Sequence, residues 1–341
     1  MLHFFKHGAA QKAKPAASIL ETYPDKLPDE LFERASYDPT AGEHSGYSNY
    51  SYWGSTLRAF RKNKAAMFFL WLLLILLLFT FIQPLLPGQR DPNLINNDPE
   101  TGFMLKNQQP SSTFWFGTNA IGQDLWSRLW SGTRTSLFIG VVVAFFEALI
   151  GIVMGALWGY VRKLDRLFTE IYNVIDNIPT TIIRMLFAYM LRPSLFTVTF
   201  VMCLTGWFSM ARFIRNQIVI IRDREYNLAS RCLGTSTQRI ITRNLLPYMV
   251  SVIMLRMALA VPGAIGTEVF LTYIGLGLPV TIPSLGNLIN EGKQVMLNAS
   301  LVYQLYFPAI VISIITIAFY MIGNAFSDKS EAKRVLGRQQ R

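Results

Sequence analysis

Charged residues are scarce in this sequence: Asp, Glu, Lys and Arg make up 16% of 341 residues, whereas a soluble domain carries about 25%. Cysteine is almost absent, and Cys203 and Cys232 are placed neither for a disulfide nor for a metal site. All three histidines precede residue 45, which excludes a histidine proton relay in the apolar segments. A phosphate-binding Gly-x-x-x-x-Gly-Lys-[Ser/Thr] motif is also missing. The chain is therefore not an ATPase, and without a catalytic constellation it is not expected to be an enzyme.

Apolar residues make up 51% of the chain, and its 24 Phe residues suit lipid-facing helices and their interfacial belts. A helix of about 20 apolar residues crosses the hydrocarbon core of a bilayer. The apolar runs predict an all-α membrane protein with six transmembrane helices, at residues 65–83, 135–160, 167–191, 195–216, 247–272 and 303–326.

The net charge of +11 could indicate nucleic-acid binding, but the cations are distributed by side. Nineteen Lys and Arg residues lie in the segment just before the first span (residues 58–64), in the second and fourth connections and in the C-terminal tail, against six in the opposing connections. Positively charged connections stay in the cytoplasm. The pattern predicts that both termini are cytoplasmic, and no nucleic-acid partner is expected.

The segments outside the spans differ in composition. Residues 1–50 are polar and turn-rich, which predicts a flexible cytoplasmic tail. Residues 51–83 combine an amphipathic lead-in with the first, uncleaved span, and 84–134 form an extracytoplasmic loop. Residues 135–328 form the membrane core, and 329–341 are a basic cytoplasmic tail. In the lead-in, Trp53 and Phe60 are expected to lie at the membrane interface.

Two spans have features that predict helix packing. Gly151, Gly155 and Gly159 recur every four residues in the second span, a pattern that lets another helix backbone approach closely. The third span contains Asp176 and Pro179, and polar groups at that depth must face protein or water. We therefore expect the third span to lie in the interior.

Four ionisable residues within the spans stand out, since a charge near a span centre costs about 2.5–3.5 kcal/mol. One hypothesis is that Glu147 and Arg184 face a pathway and contact a substrate. The alternative, which is favoured, is a buried interhelical ion pair that fixes packing. The candidate pathway or interhelical charges are Glu147, Arg184, Arg256 and Glu268.

A short motif lies between the fourth and fifth spans. Residues 222–233 read as a short helix that Gly234 ends, because glycine adopts positive φ without penalty. The small residues Ala229 and Ser230 leave one helix face able to fit a partner's groove. The segment is either such a docking helix or an ordinary basic loop that sets topology.

This segment resembles the EAA loop of binding-protein-dependent ABC import permeases. The family's triplet corresponds to Leu228-Ala229-Ser230, so its glutamate is missing here, while Glu225 matches an acidic position common in the peptide branch. The resemblance implies a coupling loop at 222–247 that contacts an ATPase through Glu225, Leu228, Ala229, Ser230, Gly234, Leu246 and Pro247.

Further segments narrow the resemblance. Residues 116–137 resemble the peptide-permease pattern FGTDxxGRDxxSRxxxGxRxSL, with Asn119 and Gln123 in place of Asp and Arg, so an ion pair there is lost. Residues 268–277 and 283–287 resemble AEASLSFLGLG and PSWGN. Together with the lead-in, these matches identify the chain as similar to the C-type permease of oligopeptide and dipeptide importers, with 135–328 as the ABC permease core.

The resemblance implies a type I ABC importer permease fold in the cell membrane and a complex that works by alternating access. The implied partners are a second homologous permease, two cytoplasmic ATP-binding subunits and an extracytoplasmic peptide-binding lipoprotein, which would dock on residues 84–134 and 276–300. ATP and magnesium would be bound by the partners, and no cofactor by this chain.

Two alternatives stay open. Nickel or small-solute permeases have similar subunits, although no His lies in the predicted spans. An ion-gradient-driven secondary transporter would instead predict inverted repeats and broken helices, neither of which the sequence reveals.

Overall fold

The structure is a computed structural model that describes residues 57, 58 and 60–339, with side chains up to residue 327. The predicted tail at 1–50 and Trp53 lie outside the described residues. Pairing between extended segments in the described part is limited to isolated bridges such as Ile95 with Gln123. Within it the helices are α1 (Lys64–Ile82), α2 (Leu125–Tyr160), α3 (Arg162–Asp176), α4 (Thr180–Met190), α5 (Leu195–Ile221), α6 (Glu225–Cys232), α7 (Thr237–Ile240), α8 (Leu246–Tyr273), α9 (Leu285–Gln294) and α10 (Tyr303–Gln339).

Five helical segments in the described part of the chain are long and apolar enough to cross a membrane. They contain α1, α2, α5, α8 and α10, which correspond to the first, second, fourth, fifth and sixth predicted spans. Their bounds are Lys64–Leu85, Leu125–Tyr160, Leu195–Ile221, Thr237–Tyr273 and Tyr303–Ser327. The prediction of an all-α membrane protein is confirmed.

The third predicted span is not one helix. It is divided into α3 and α4, with a break at residues 177–179, and neither piece reaches the length of the other spans. Pro179 has no N–H to donate and disfavours the helical conformation at the preceding residue. Residues 167–191 are predicted from the sequence as one span, and the structure divides this region into two helices just before Pro179.

The second span begins earlier than predicted. The Asp124 carboxylate accepts from the Ser127 backbone N–H at 3.1 Å and thereby caps α2, so the last ten residues of the predicted 84–134 loop are helical. Hydropathy missed this first part of α2 because it is polar and buried by protein: Arg128 and Thr133 have no exposed surface. The segment at 276–300, expected to dock a partner, likewise contains a helix, α9.

Helices α2 and α5 pack closely, as the glycine pattern predicts. A Cβ atom added to Gly155 would lie 2.7 Å from the Ile214 Cβ, and one added to Gly159 would lie 3.0 Å from the Arg215 Cα. Ile214 and Ile218 are completely buried beside this contact. The small residues thus let two helix backbones touch.

Phe60 corrects the interfacial prediction for the lead-in. Its ring is 4% exposed and stacks on Phe326 of α10, with ring centroids 4.6 Å apart. The lead-in therefore packs on the last helix at this residue. Helix α10 continues to Gln339, so the predicted basic tail at 329–341 extends the helix through most of its length.

The connections at the end of the bundle opposite α6 form one folded layer. The Gln304 side chain donates to Asn107 Oδ1 at 2.9 Å, and Arg128 forms a 2.7 Å ion pair with Glu291 of α9. Asn119 and Gln123, expected to lack an ion pair, are joined instead by a 3.0 Å hydrogen bond between their side chains. This layer closes one end of the bundle, and α6 lies at the other.

Candidate functional site

Helix α6 has favourable signals at both ends. Glu225 lies in its first turn and Arg231 in its last, where each charge interacts favourably with the helix dipole. Gly234 has φ +76°, and the Thr235 N–H donates to the Ser230 carbonyl at 3.0 Å. This is a Schellman termination. The predicted short helix ended by Gly234 is confirmed.

The inner face of α6 is fastened to the bundle. Asn227 is fully buried, and its Nδ2 donates to the Ile221 carbonyl of α5 at 2.9 Å. Arg231 Nε donates to the Tyr160 hydroxyl of α2 at 3.0 Å, and its guanidinium lies 4.9 Å from the centre of that ring. Sequence reasoning missed Asn227, whose signal is a polar residue inside an otherwise exposed short helix. Helix α6 is thus held by both α2 and α5.

Helix α6 and its C-cap residue carry exposed apolar side chains. Tyr226 is 49% exposed, Leu228 is 43% exposed and Leu233 is 85% exposed. Exposed apolar side chains on a short helix at a polar end of a protein are typical of an interaction surface. We call these three residues and Ala229, which is also exposed, the α6 apolar surface.

The other residues predicted for coupling are not all on this surface. Glu225 and Gly234 lie exposed at the two ends of α6. Ser230 donates to the Tyr226 carbonyl of its own helix at 2.8 Å. Leu246 and Pro247 instead form the start of α8, after a π-helical turn.

A charge network stabilises the same end of the bundle. Asp165 of α3 accepts from Arg215 of α5 at 2.8 Å, and Arg222 donates to the Gly159 carbonyl of α2 at 2.7 Å. Sequence analysis did not single out Asp165. Its partner Arg215 lies 50 residues away in the chain, so only the fold brings the two together.

A cavity of about 700 Å³ lies among α3, α4, α5 and α8, and Glu147 of α2 reaches it. Both Glu147 and Arg184 line this cavity. Arg184 Nε donates to Thr205 Oγ1 at 2.9 Å and its NH1 group donates to Thr267 Oγ1 at 3.3 Å. Among the described residues the two charges form no direct ion pair, in contrast to the favoured interpretation.

A second acidic residue at the cavity, Asp176, is paired with a cation. Asp176 pairs with Arg212 at 2.9 Å and accepts from the Tyr172 hydroxyl at 2.8 Å. The Arg212 guanidinium lies 4.5 Å from the centre of the Tyr172 ring. These residues connect the end of α3 to α5.

The remaining two predicted charges lie apart from this cavity. Arg256 is exposed, lies 4.4 Å from the Phe213 ring centre and lines a separate cavity of about 120 Å³ that Glu147 also reaches. Glu268 is fully buried and accepts hydrogen bonds from the hydroxyls of Ser136 and Ser284. Glu268 therefore connects helices.

Family comparison agrees with this architecture. The family described as "Binding-protein-dependent transport system inner membrane component" matches residues 147–334. The family described as "N-terminal TM domain of oligopeptide transport permease C" matches residues 51–110.

Curated relatives match nearly the whole chain. The oligopeptide transport system permease protein AmiD of Streptococcus pneumoniae is 35% identical over 89% of this chain and 97% of its own. The oligopeptide transport system permease protein OppC of Bacillus subtilis is 32% identical over 90% and 98%, respectively. The dipeptide transport system permease protein DppC of Bacillus subtilis is 34% identical over 91% and 94%.

A solved structure of the MetNI methionine ABC transporter in an inward facing conformation has a TM-score of 0.48 at 22% identity, covering 59% of this chain and 96% of that chain. The assignment depends on the sequence matches, since the first family covers more than half of the chain. The chain belongs to the family of binding-protein-dependent transport system inner membrane components.

Proposed function

We propose that this multi-pass membrane protein is one of the two permease subunits of an ATP-driven importer of oligopeptides or dipeptides. The names of the relatives above, which are oligopeptide and dipeptide permeases, support the substrate class. The match of residues 51–110 to the oligopeptide permease C domain supports the same class.

The proposed topology has six membrane crossings and the type I ABC importer permease fold. In this arrangement α3 and α4, with 15 and 11 residues, cross together as a bent third span. Their combined length at 1.5 Å per residue exceeds the hydrocarbon thickness of about 30 Å. The concentration of cations around α6 and the start of α3 supports cytoplasmic termini.

The observation that carries the proposal is the α6 apolar surface, presented by a helix whose inner face is fastened to α2 and α5. We propose that it fits a groove of a cytoplasmic ATPase. Two such ATPases would bind ATP and magnesium, so this chain needs no cofactor. The bundle would then be the two-state element that ATP binding biases between inward-facing and outward-facing forms.

The folded layer at the other end is proposed to receive a peptide-binding lipoprotein. Its exposed apolar side chains include Phe103, at 76%, and Leu94, at 52%. A second homologous permease would complete the pathway, because polar cavity walls at membrane depth must face protein or water.

The proposal is tested by introducing a negatively charged residue into the α6 apolar surface in the full complex. We expect Leu233→Asp and Leu228→Asp each to weaken ATPase attachment about 30-fold, the size of an interface hot-spot loss. Attachment is measured by co-purification from membranes, and function by ATP-dependent uptake of labelled Ala-Ala-Ala into proteoliposomes.

The matched control is Leu297→Asp, because Leu297 is 94% exposed in the layer at the opposite end. It should retain the ATPases. Full attachment and uptake in both α6 variants would contradict the coupling role, and ATP-independent uptake would contradict the proposed importer.

A further inference from the structure

The large cavity contains two charges whose direct partners are incomplete. Its charged lining residues are Glu147, Asp176 and Arg184. Asp176 is paired with Arg212. Neither Glu147 nor Arg184 takes part in an ion pair within the described part of the chain. One carboxylate and one guanidinium are therefore available to a bound molecule.

Arg184 is held in place by two hydrogen bonds that leave its other N–H groups available. Its bonds to Thr205 of α5 and Thr267 of α8 use two of the five N–H groups of a guanidinium. The remaining donors suit a carboxylate, which guanidinium groups bind by parallel hydrogen bonds. The two threonines thus hold an anion-binding group at the cavity wall.

Glu147 is presented by a different helix. Its side chain crosses from α2 against Gly206 of α5, where a Cβ atom would lie 2.7 Å from the Glu147 Cγ. Only glycine leaves room for this path. The described residues supply no hydrogen bond to the carboxylate, and an ionisable group at membrane depth calls for a partner. An ammonium group would supply both charge and donors.

The rest of the cavity is suited to variable side chains. Trp207 and Phe208 stack at 3.9 Å between ring centroids and line the cavity together with Phe187. Aromatic walls provide contact area without demanding particular hydrogen bonds. A volume of about 700 Å³ lies within the range of small-ligand sites.

We infer that Glu147 and Arg184 form a binding site for the two charged termini of a short peptide, the ammonium at Glu147 and the carboxylate at Arg184. The inference rests on the proposed function and makes the site specific for what all short peptides share. The variable side chains of the peptide then contact the aromatic walls.

Binding is measured on the complex of permeases and ATPases with the peptide-binding lipoprotein left out. The lipoprotein's own preference among peptides then does not affect the result. The probes are Ala-Ala-Ala, its N-acetylated form and its C-terminal amide, measured by equilibrium dialysis. We expect Glu147→Gln to weaken Ala-Ala-Ala binding about tenfold and to leave the N-acetylated form unchanged. Arg184→Gln should likewise weaken Ala-Ala-Ala binding about tenfold and leave the binding of the C-terminal amide unchanged. Loss of one charge-assisted hydrogen bond corresponds to about this factor.

The conservative variants Glu147→Asp and Arg184→Lys should restore most of the binding. Glu170→Gln and Arg192→Gln make the same chemical changes at exposed residues that do not line the cavity, and should have no effect. The inference would be overturned if Glu147→Gln or Arg184→Gln weakened the binding of all three probes equally or left binding unchanged. It would also be overturned if the wild-type complex showed no saturable Ala-Ala-Ala binding. ATP-driven uptake by the wild-type complex with its binding protein tests the proposed function separately.

Discussion

Glu268 is a fully buried carboxylate that accepts hydrogen bonds from three hydroxyl groups. Ser136 belongs to α2, Thr272 to α8, and Ser284 caps α9. Ser136 Oγ in turn accepts from the Leu285 N–H at 3.0 Å. A single side chain therefore holds α9 against two long helices.

Removing this acceptor should destabilise the protein. We expect Glu268→Ala to lower the free energy of unfolding by about 3 kcal/mol, because three buried hydroxyls lose their acceptor. Glu268→Gln keeps one acceptor oxygen and should cost less. The measurement is thermal unfolding of the purified protein in detergent, and Glu170→Ala, at an exposed position, should leave the midpoint unchanged. An unchanged midpoint in Glu268→Ala would contradict the role.

At this scale the sequence could identify charged residues but not their partners. Glu268 stands out because it is ionisable within an apolar run. Its partner Ser136 lies 132 residues away and has no pattern of its own. Thr205 and Thr267 have no distinguishing pattern either, because threonine is an ordinary residue in spans. Only the fold places these two side chains beside Arg184.

At the scale of elements, the α2–α5 pair depends on the absence of side chains at its contact. We expect Gly155→Ala to cost about 1–3 kcal/mol, the usual penalty of overpacking, because the new methyl group would meet Ala211 and Ile214. Gly263→Ala is the matched control, since a Cβ there meets nothing within 4 Å.

Thermal unfolding of both variants checks this prediction. Loss of stability in Gly263→Ala but not in Gly155→Ala would contradict the packing account.

The elements were predictable where one local signal dominates. Spacing of four residues between glycines identified the α2 contact, and Gly234 identified the end of α6. The break between α3 and α4 was missed because the flanking apolar residues suggested one span and Pro179 was read as part of it. The early start of α2 was missed because burial by protein tolerates polar residues that hydropathy assigns to a loop.

At the scale of the whole molecule, Arg128 connects the bundle to the folded layer at the end opposite α6. Its side chain has no exposed surface and pairs with Glu291 of α9, and Asn119 donates to the same carboxylate at 3.1 Å. Residues 163 positions apart thus meet, which no local pattern of the sequence predicts.

Breaking this pair should loosen the layer. We expect Glu291→Leu to cost about 3–5 kcal/mol, because it leaves a buried cation without its partner. The double variant Arg128→Met with Glu291→Leu should recover a large part of that loss. Amide hydrogen exchange of residues 93–108 reports the loosening, and equal protection in Glu291→Leu and wild type would contradict it.

The attachment of α6 has a mechanical consequence. Asn227 connects it to α5 and Arg231 connects it to α2, while the glycine contact brings the backbones of these two helices close together. A force on α6 would therefore act on α2 and α5 together, the two helices that carry Glu147 and Thr205. Any widening or narrowing of the cavity then requires movement of α3, α4 or α8, the other helices that line it.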